Sequence, residues 1–247
     1  DVFQRENFTW NLSFNATYLT NSIKKLNNVD DPDYVGLPVG GISGGVGNTV
    51  QTQQVGQSQF SFLVYEQVYD ESGNPLEGVY VDQNGDGIIN DSDKRIFNNP
   101  NPDYLFGLSS YMTFHQNWDF SFTMRASLGN YVYNNVASAN GVYAGVWELN
   151  SLRNAHASVL ETDFREQQFW SDYYVQDASF LRMDNVALGY SFSNLNEGNT
   201  RLRIYSTVQN VFVLTPYEGL DPEINGGIDN NFYPRPRTFL VGLNLNF

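Results

Sequence analysis

The sequence predicts an all-β protein: a segment of an antiparallel transmembrane β-barrel, about seven or eight strands wide, with long extracellular loops. Three observations carry that expectation. Several stretches of about ten residues alternate between apolar and small polar side chains. The connections between such stretches alternate between short and long. The composition is aromatic and charge-poor: 15% of residues are Phe, Trp or Tyr and only 16% are charged, against about 25% charged in soluble domains.

The last stretch shows the pattern most cleanly. Phe239, Val241, Leu243, Leu245 and Phe247 alternate with Thr238, Leu240, Gly242, Asn244 and Asn246. A period of two places the sets on opposite faces, one apolar and ending in an aromatic, the other small and mostly amide. A soluble core strand could alternate in the same way, so repetition along the chain is the test.

From the start, Phe8, Trp10, Leu12, Phe14, Ala16 and Tyr18 alternate with Thr9, Asn11, Ser13, Asn15 and Thr17. A strand of about eleven residues exceeds the usual five or six and suits a tilted membrane strand of about 9–11. Residues 27–58 carry turn signals at Asn27-Asn28 and Asp30-Asp31-Pro32-Asp33 and a run rich in glycine, Gly40 to Gly47. That run lacks the Lys-Ser/Thr ending of a phosphate loop and precedes no helical pattern, so it reads as a flexible loop. A weak strand is expected over 49–57. Phe60, Phe62 and Val64 open another that runs to about Tyr69, before a turn at Ser72-Gly73-Asn74-Pro75.

Residues 104–114 and 118–128 read as an up-down hairpin around His115-Gln116-Asn117. Arg125 falls on its polar face, where a dry core would make it costly and a watery lumen would not. Residues 129–175 form the longest interruption, aromatic-rich, with rough helical spacing at Leu149, Leu152, Ala155, Val159 and Leu160. Next, Phe180, Arg182, Asp184, Val186, Leu188, Tyr190 and Phe192 share one parity. On that reading Arg182 and Asp184 lie above the apolar band. Asn194 to Asn199 is a polar turn, Leu202 to Phe212 is a further strand, and a loop from Thr215 to Arg237 leads into the last one.

Short turns therefore sit near 115–117 and 194–199, and long connections at 27–58, 70–102, 129–175 and 215–237. Outer-membrane barrels segregate loop lengths in this way, with short periplasmic turns and long outer loops. A net charge of −14 argues against a nucleic-acid partner. The absence of cysteine excludes disulfides, zinc-thiolate sites and a thiol nucleophile. No run approaches about 18 apolar residues, so no transmembrane helix is expected, which leaves barrel strands open. No signal peptide opens the chain, and a strand pattern begins soon after Asp1. A mature product or a piece of something longer is expected.

Four phrases, in order, carry a family resemblance. They are Asp82-Gln83-Asn84-Gly85-Asp86-Gly87-Ile88-Ile89 with Asn101-Pro102-Asp103-Tyr104, and Ser179-Phe180-Leu181-Arg182-Met183-Asp184-Asn185-Val186-Ala187-Leu188-Gly189-Tyr190. Then follow Gln209-Asn210-Val211-Phe212 with Tyr217-Glu218-Gly219-Leu220-Asp221-Pro222-Glu223, and Tyr233-Pro234-Arg235-Pro236-Arg237-Thr238-Phe239 running to Phe247. Together they resemble the C-terminal part of SusC/RagA-type TonB-dependent transporters, clearly over about 80–247 and more loosely before. The resemblance implies a barrel of about 22 strands with a plug, of which this chain is the C-terminal portion without the plug. It implies import of oligosaccharide or peptide across the outer membrane of a Gram-negative bacterium, driven through TonB by the missing N-terminal part. It also implies a SusD-like surface lipoprotein as lid, with the rest of the barrel and outer-membrane lipid as neighbours.

One loop carries a metal-binding spacing. Asp82, Asn84 and Asp86 match positions one, three and five of a twelve-position calcium loop. Gly87 stands at the sharp turn, the Ile88 carbonyl at seven, Asn90 at nine and Asp93 at twelve. Ca2+ is the expected ion, weakened by Asp in place of Glu at twelve and by the lack of flanking helices. An ion-free Asp/Asn/Gly turn is the alternative.

No catalytic set is visible, and no enzyme is expected. His115 and His156 are isolated. Asp221 and Glu223 could act on a glycan in principle, but the intervening proline favours a structural loop. Trp147, Trp170, Tyr173 and Tyr174 are candidates for substrate or partner contact, against packing within their own loop. Two other classes remain open: a small self-contained barrel with an adhesive or structural role, and a soluble carbohydrate-binding β-sandwich.

Overall fold

The computed structural model describes residues 3–27, 36–144, 146, 154–193 and 200–246. The chain opens on β1 (Phe3–Arg5) and β2 (Phe8–Tyr18). It then makes a long excursion through β3 (Leu37–Gly41), β4 (Thr49–Gln53), β5 (Ser61–Val64), β6 (Gln67–Tyr69), β7 (Pro75–Tyr80) and β8 (Arg95–Ile96). It returns as β9 (Tyr104–Phe114) and β10 (Trp118–Leu128). A second excursion holds β11 (Tyr131–Tyr133), the short helices α1 (Asn135–Asn140) and α2 (Val159–Thr162), and β12 (Val175–Asp177). Then come β13 (Phe180–Ser193) and β14 (Arg201–Leu214), a strap over 215–237, and β15 (Thr238–Asn246).

Seven strands form one antiparallel sheet in the order β1-β2-β9-β10-β13-β14-β15. We call it the wall. It is open, with β1 at one edge and β15 at the other. Among the described residues, the short turns at 6–7 and 115–117 lie at one end and the excursions leave from the other; the polar turn expected at Asn194 to Asn199 lies outside the described residues. The expected strand over Phe60–Tyr69 does not enter the wall: β2 pairs directly with β9, so everything between Tyr18 and Tyr104 is a single excursion.

Period two gives the wall two chemically distinct faces. Register places Trp10, Met112, Phe120, Leu188, Ser206 and Val241 side by side on one face. Thr9, Thr113, Asp119, Gly189, Tyr205 and Gly242 line the other. Among the described residues no second sheet covers the apolar face: Phe14, Phe239, Val241 and Leu243 are 64–75% exposed. Burying such a side chain contributes about 1.5–3 kcal/mol, forgone at each position if water lay outside. Ser110 sits on this face, but the Trp10 indole covers it and donates to its hydroxyl at 3.0 Å, which removes the need for water there.

Aromatic pairs close both ends of the apolar band. Phe8 stacks near Phe114, and Trp118 near Tyr190, at the short-turn end; Tyr18 meets Tyr104 at the other. Phe8 and Tyr18 are about ten residues apart, about 33 Å along the strand and about 25 Å along the normal at a tilt of about 40°. That is the height of a barrel's apolar band. The soluble sandwich is thereby overturned.

A bulge changes the reading of β13. Asn185 pairs with Thr123 but Met183 pairs with Met124, leaving Asp184 as an extra residue. One inserted residue switches the face of everything beyond it. Leu181 and Met183 therefore join the apolar face, while Phe180 and Arg182 turn to the polar face beside Ser127 and Arg125. The expectation that Arg182 stands above the apolar band is wrong for this reason. In β14 the facing irregularity holds two extra residues, Asn210 and Val211, so parity survives. Asn210 takes φ 51°, a region asparagine tolerates.

The hydrophobic core lies elsewhere. Ile42, Val50, Phe62, Val64, Tyr133, Ala137, Val142, Phe164, Tyr174 and Val175 form one buried cluster, and none belongs to a wall strand. The first two excursions thus fold together into a cap with its own core. The glycine-rich run, expected as a loop, is divided: Gly40 and Gly41 lie in β3, and Gly44, Gly45 and Gly47 fall in the turn that leads to β4. Gly40 lies against Gln51, and the bend at Gly44 packs on the Phe169 ring. The helix expected near 149–160 overlaps the four-residue α2 only at Val159 and Leu160; Leu149 and Leu152 lie outside the described residues.

On the polar face, Asp119 of β10 and Arg203 of β14 join across β13 at 2.5 and 2.8 Å. They pass directly over Gly189, where an added Cβ would stand 2.5 Å from the Asp119 carboxylate and 2.6 Å from the guanidinium. Gly189→Ala should displace the pair and cost about 1–3 kcal/mol by overpacking. The temperature at which heat-modifiable gel mobility is lost would measure it, with Ala187→Gly as the comparison.

Candidate functional site

Three arginines and three carboxylates meet where the loop end of the wall receives the strap. Arg125 comes from β10, Arg182 and Asp184 from β13, and Asp221, Glu223 and Arg235 from the strap. The β13 bulge brings them together by turning Arg182 to the polar face. Arg182 is 2% exposed. It donates to Asp221 Oδ1 and to Asn210 Oδ1, each at 2.8 Å. Its Nε lies 2.9 Å from Glu223 Oε2 without a hydrogen-bond alignment, so that contact is purely ionic.

Arg125 holds two carboxylates. Its Nε donates to Asp184 at 2.9 and 3.0 Å, and its two terminal nitrogens grip both oxygens of Glu223, one at 2.8 Å. Arg235 adds a third donor to Glu223 at 2.5 Å, and Asn210 donates to the Arg235 backbone carbonyl at 2.6 Å. The Phe180 ring lies under both wall guanidiniums, 5.6 and 5.7 Å from its centroid. The formal charges cancel. A bidentate, multiply bonded arrangement of this kind is what allows charge to be buried at all.

This cluster explains the placement of Asp221 and Glu223, read from sequence as part of a structural loop. Glu223 sits between opposing influences: burial raises its carboxyl pKa, but the hydrogen bond and charge of Arg125, with Arg235 and Arg182, outweigh it and hold the carboxyl below its usual range. The bond of the Tyr217 hydroxyl to Asp229 at 2.7 Å folds the strap's two limbs together. Burial and that neighbouring carboxylate push the Tyr217 phenol up.

The 82–93 loop closes on itself. Asp82 accepts from the Gly85 and Gly87 amides at 2.7 and 2.8 Å, and Asp86 from Ile88 at 2.8 Å. Asn84 donates from its amide to Asp86 at 3.0 Å, and Asn90 to the Ile88 carbonyl at 3.2 Å. Buried Asp93 accepts from Gln83 and Asn90. The Gly87 amide, with those of Gly85 and Asp86, holds the Asp82 carboxyl below its ordinary value against the opposing effect of desolvation. Gly85 and Gly87 take φ 74° and 78°, the turn that the twelve-position wrap requires. Among the described residues, however, no three His, Cys, Asp or Glu side chains converge where a metal could sit.

The aromatic candidates divide. Tyr174 is fully buried in the cap core against Tyr133 and Tyr173, with no surface for a ligand. Tyr173 is half-buried against Phe164. Trp170 donates to the Thr49 carbonyl at 3.0 Å, and Lys94 lies 4.8 Å over its ring. Trp147 lies outside the described residues. Sequence reasoning missed Arg125, Arg182, Asn210 and Arg235 as one group. The available signal was the occurrence of Arg and Asp in strands otherwise almost free of charge.

An open antiparallel sheet, apolar outside and polar inside, with loops packed at one end, defines the class: the wall of a transmembrane β-barrel. Solved structures share it. The chain matches one described as the structure of the RagAB peptide transporter with a TM-score of 0.75 at 21% identity, covering 99% of this chain and 28% of that one. It matches the RagAB peptide importer in its "open-open" state at 0.70 and 20%, covering 99% and 27%. At such identity the likeness concerns fold alone.

Similarity in sequence is higher. The chain is 47% identical over 249 residues to TonB-dependent receptor SusC of Bacteroides thetaiotaomicron, covering 98% of this chain and 25% of that protein. It is 29% identical over 284 residues to TonB-dependent receptor P3 of Formosa agariphila, covering 98% and 27%. The chain is thus a homologue of the SusC-type TonB-dependent receptors, and it spans about a quarter of the length of the curated relatives it matches. No family model matches it.

Asp221→Ala leaves the Arg182 guanidinium buried beside fewer charges, and should cost about 3–5 kcal/mol in denaturant unfolding of the receptor carrying this chain. Because its folded pKa is depressed, Glu223 contributes stability above its unfolded pKa of about 4.3. That contribution is lost as pH falls through the lower folded value. In an acid titration of unfolding, a Glu223→Gln receptor should lack this component.

Proposed function

We propose that the chain is the C-terminal sector of the barrel of a TonB-dependent receptor that imports nutrients across the outer membrane of a Gram-negative bacterium. The observation that carries this reading is 47% identity with SusC across 98% of the chain. The uncovered apolar rows and paired aromatics support a lipid-facing outer surface. The two edge strands offer unpaired backbone groups to further strands, which a membrane barrel must satisfy.

In this reading the plug and the TonB-contacting segment belong to other parts of the receptor, and the wall with its cap forms one side of the substrate path. A SusD-like lipoprotein covers the loop end. The cargo is an oligosaccharide or a peptide. A solved structure that shares the fold is described as a peptide transporter, which supports the second. The protein performs no chemistry on its cargo. Trp170 and Tyr173 are the candidates that retain exposed surface for it.

Deleting the receptor gene and measuring uptake of labelled oligosaccharides and peptides tests the reading. Loss of one class identifies the cargo; loss of neither refutes import. Val241→Arg on the outer face should cost about 2–4 kcal/mol at mid-membrane depth and reduce assembled receptor, whereas Asn244→Arg on the inner face should be tolerated.

Calcium in the 82–93 loop is a separate proposal, supported by oxygen spacing at Asp82, Asn84, Asp86, Ile88, Asn90 and Asp93. Terbium luminescence in the receptor, abolished by Asp82→Ala, is the expected result. No terbium signal would leave an ion-free turn.

A further inference from the structure

The strap touches two bodies at once. On one side it is sewn into the cap. Gln51 donates to the Gly226 carbonyl at 2.8 Å, the Asp229 amide to the Tyr133 carbonyl at 3.0 Å, and Asn135 meets Asn230. Gly227 lies so close to Pro100 that an added Cβ would stand 2.3 Å from it. On the other side Asp221 and Glu223 are fixed to the wall strands through Arg182 and Arg125, and Asn210 donates to the Arg235 carbonyl, while the Arg235 guanidinium braces Glu223 from within the strap.

The two attachments differ in kind. The cap side is made of uncharged amide and backbone hydrogen bonds and close packing. The wall side is ionic, and Arg125, Asp184 and Arg235 remain 35–40% exposed at its rim. Backbone bonds and close packing separate only by unfolding, whereas an ion cluster reached by water opens when one charge is lost.

We infer that the Arg125–Arg182–Asp184–Asp221–Glu223–Arg235 cluster is an ionic lock that holds the folded cap over the mouth of the wall. Its release frees the strap from the wall while the cap stays intact. Glu223 is the pivot, since all three arginines reach it. The inference concerns the lock alone and is independent of what the receptor imports.

Hydrogen exchange on the full-length receptor in detergent tests it. Glu223→Gln should speed exchange over 215–237 by about tenfold or more, with β2, β9 and the cap core Phe62–Val64 unchanged. Arg235→Gln, at the exposed rim, should produce a smaller rise in the same segment. Unchanged exchange in the strap would overturn the lock. A uniform rise across wall and cap in both variants would also overturn it, showing a folding core and not a releasable joint.

Discussion

The constraint on which this molecule depends is that its apolar surface is hidden in two different ways. The excursions gather theirs into a protein core around Phe62, Val64, Tyr133 and Tyr174. The wall cannot do so, because among the described residues nothing covers the outer side of its single open sheet. Its rows of Phe, Leu and Val need an apolar solvent, and its backbone groups need neighbouring strands, since neither can be left to water or bare hydrocarbon. The aromatic pairs at both ends mark where that solvent begins and stops.

The join between the two regimes is where charge concentrates. Strands otherwise nearly uncharged carry Arg125, Arg182 and Asp184 at their loop ends; alternation alone points Arg125 inward, and the β13 bulge turns Arg182 to join it. Buried ions are rarely a source of net stability. Here they give geometry: a strap that approaches in any other register would leave Arg182 without its carboxylates. Specific positioning of the cap follows from that penalty.

The wall was largely legible from sequence, because lipid and lumen impose opposite chemistry on alternate residues for about ten positions at a time. The Trp118–Leu128 and Thr238–Asn246 strands show it directly. The cap was not. Its strands are two to six residues long, too short for a period to declare itself. Phe62 and Val64 alternate like a wall strand while belonging to a core. The fate of Arg182 depended on one bulged residue, Asp184, that no alternation rule locates. The ion cluster brings together positions 39 and 98 apart, and local patterns hold no information on such pairing. The acidic loop was legible as a turn, with Gly85 and Gly87 bent as its spacing requires.

The stitch between Gln51 and Gly226 joins positions 175 apart in the chain. Closing so large a loop carries a high entropic cost before any reward arrives, so such contacts form late. The cap can collapse around its own centre early, but its seating waits for almost the last segment to be delivered. A polypeptide stopped before the strap would keep a compact outer lobe with no fixed address on the sheet beneath it.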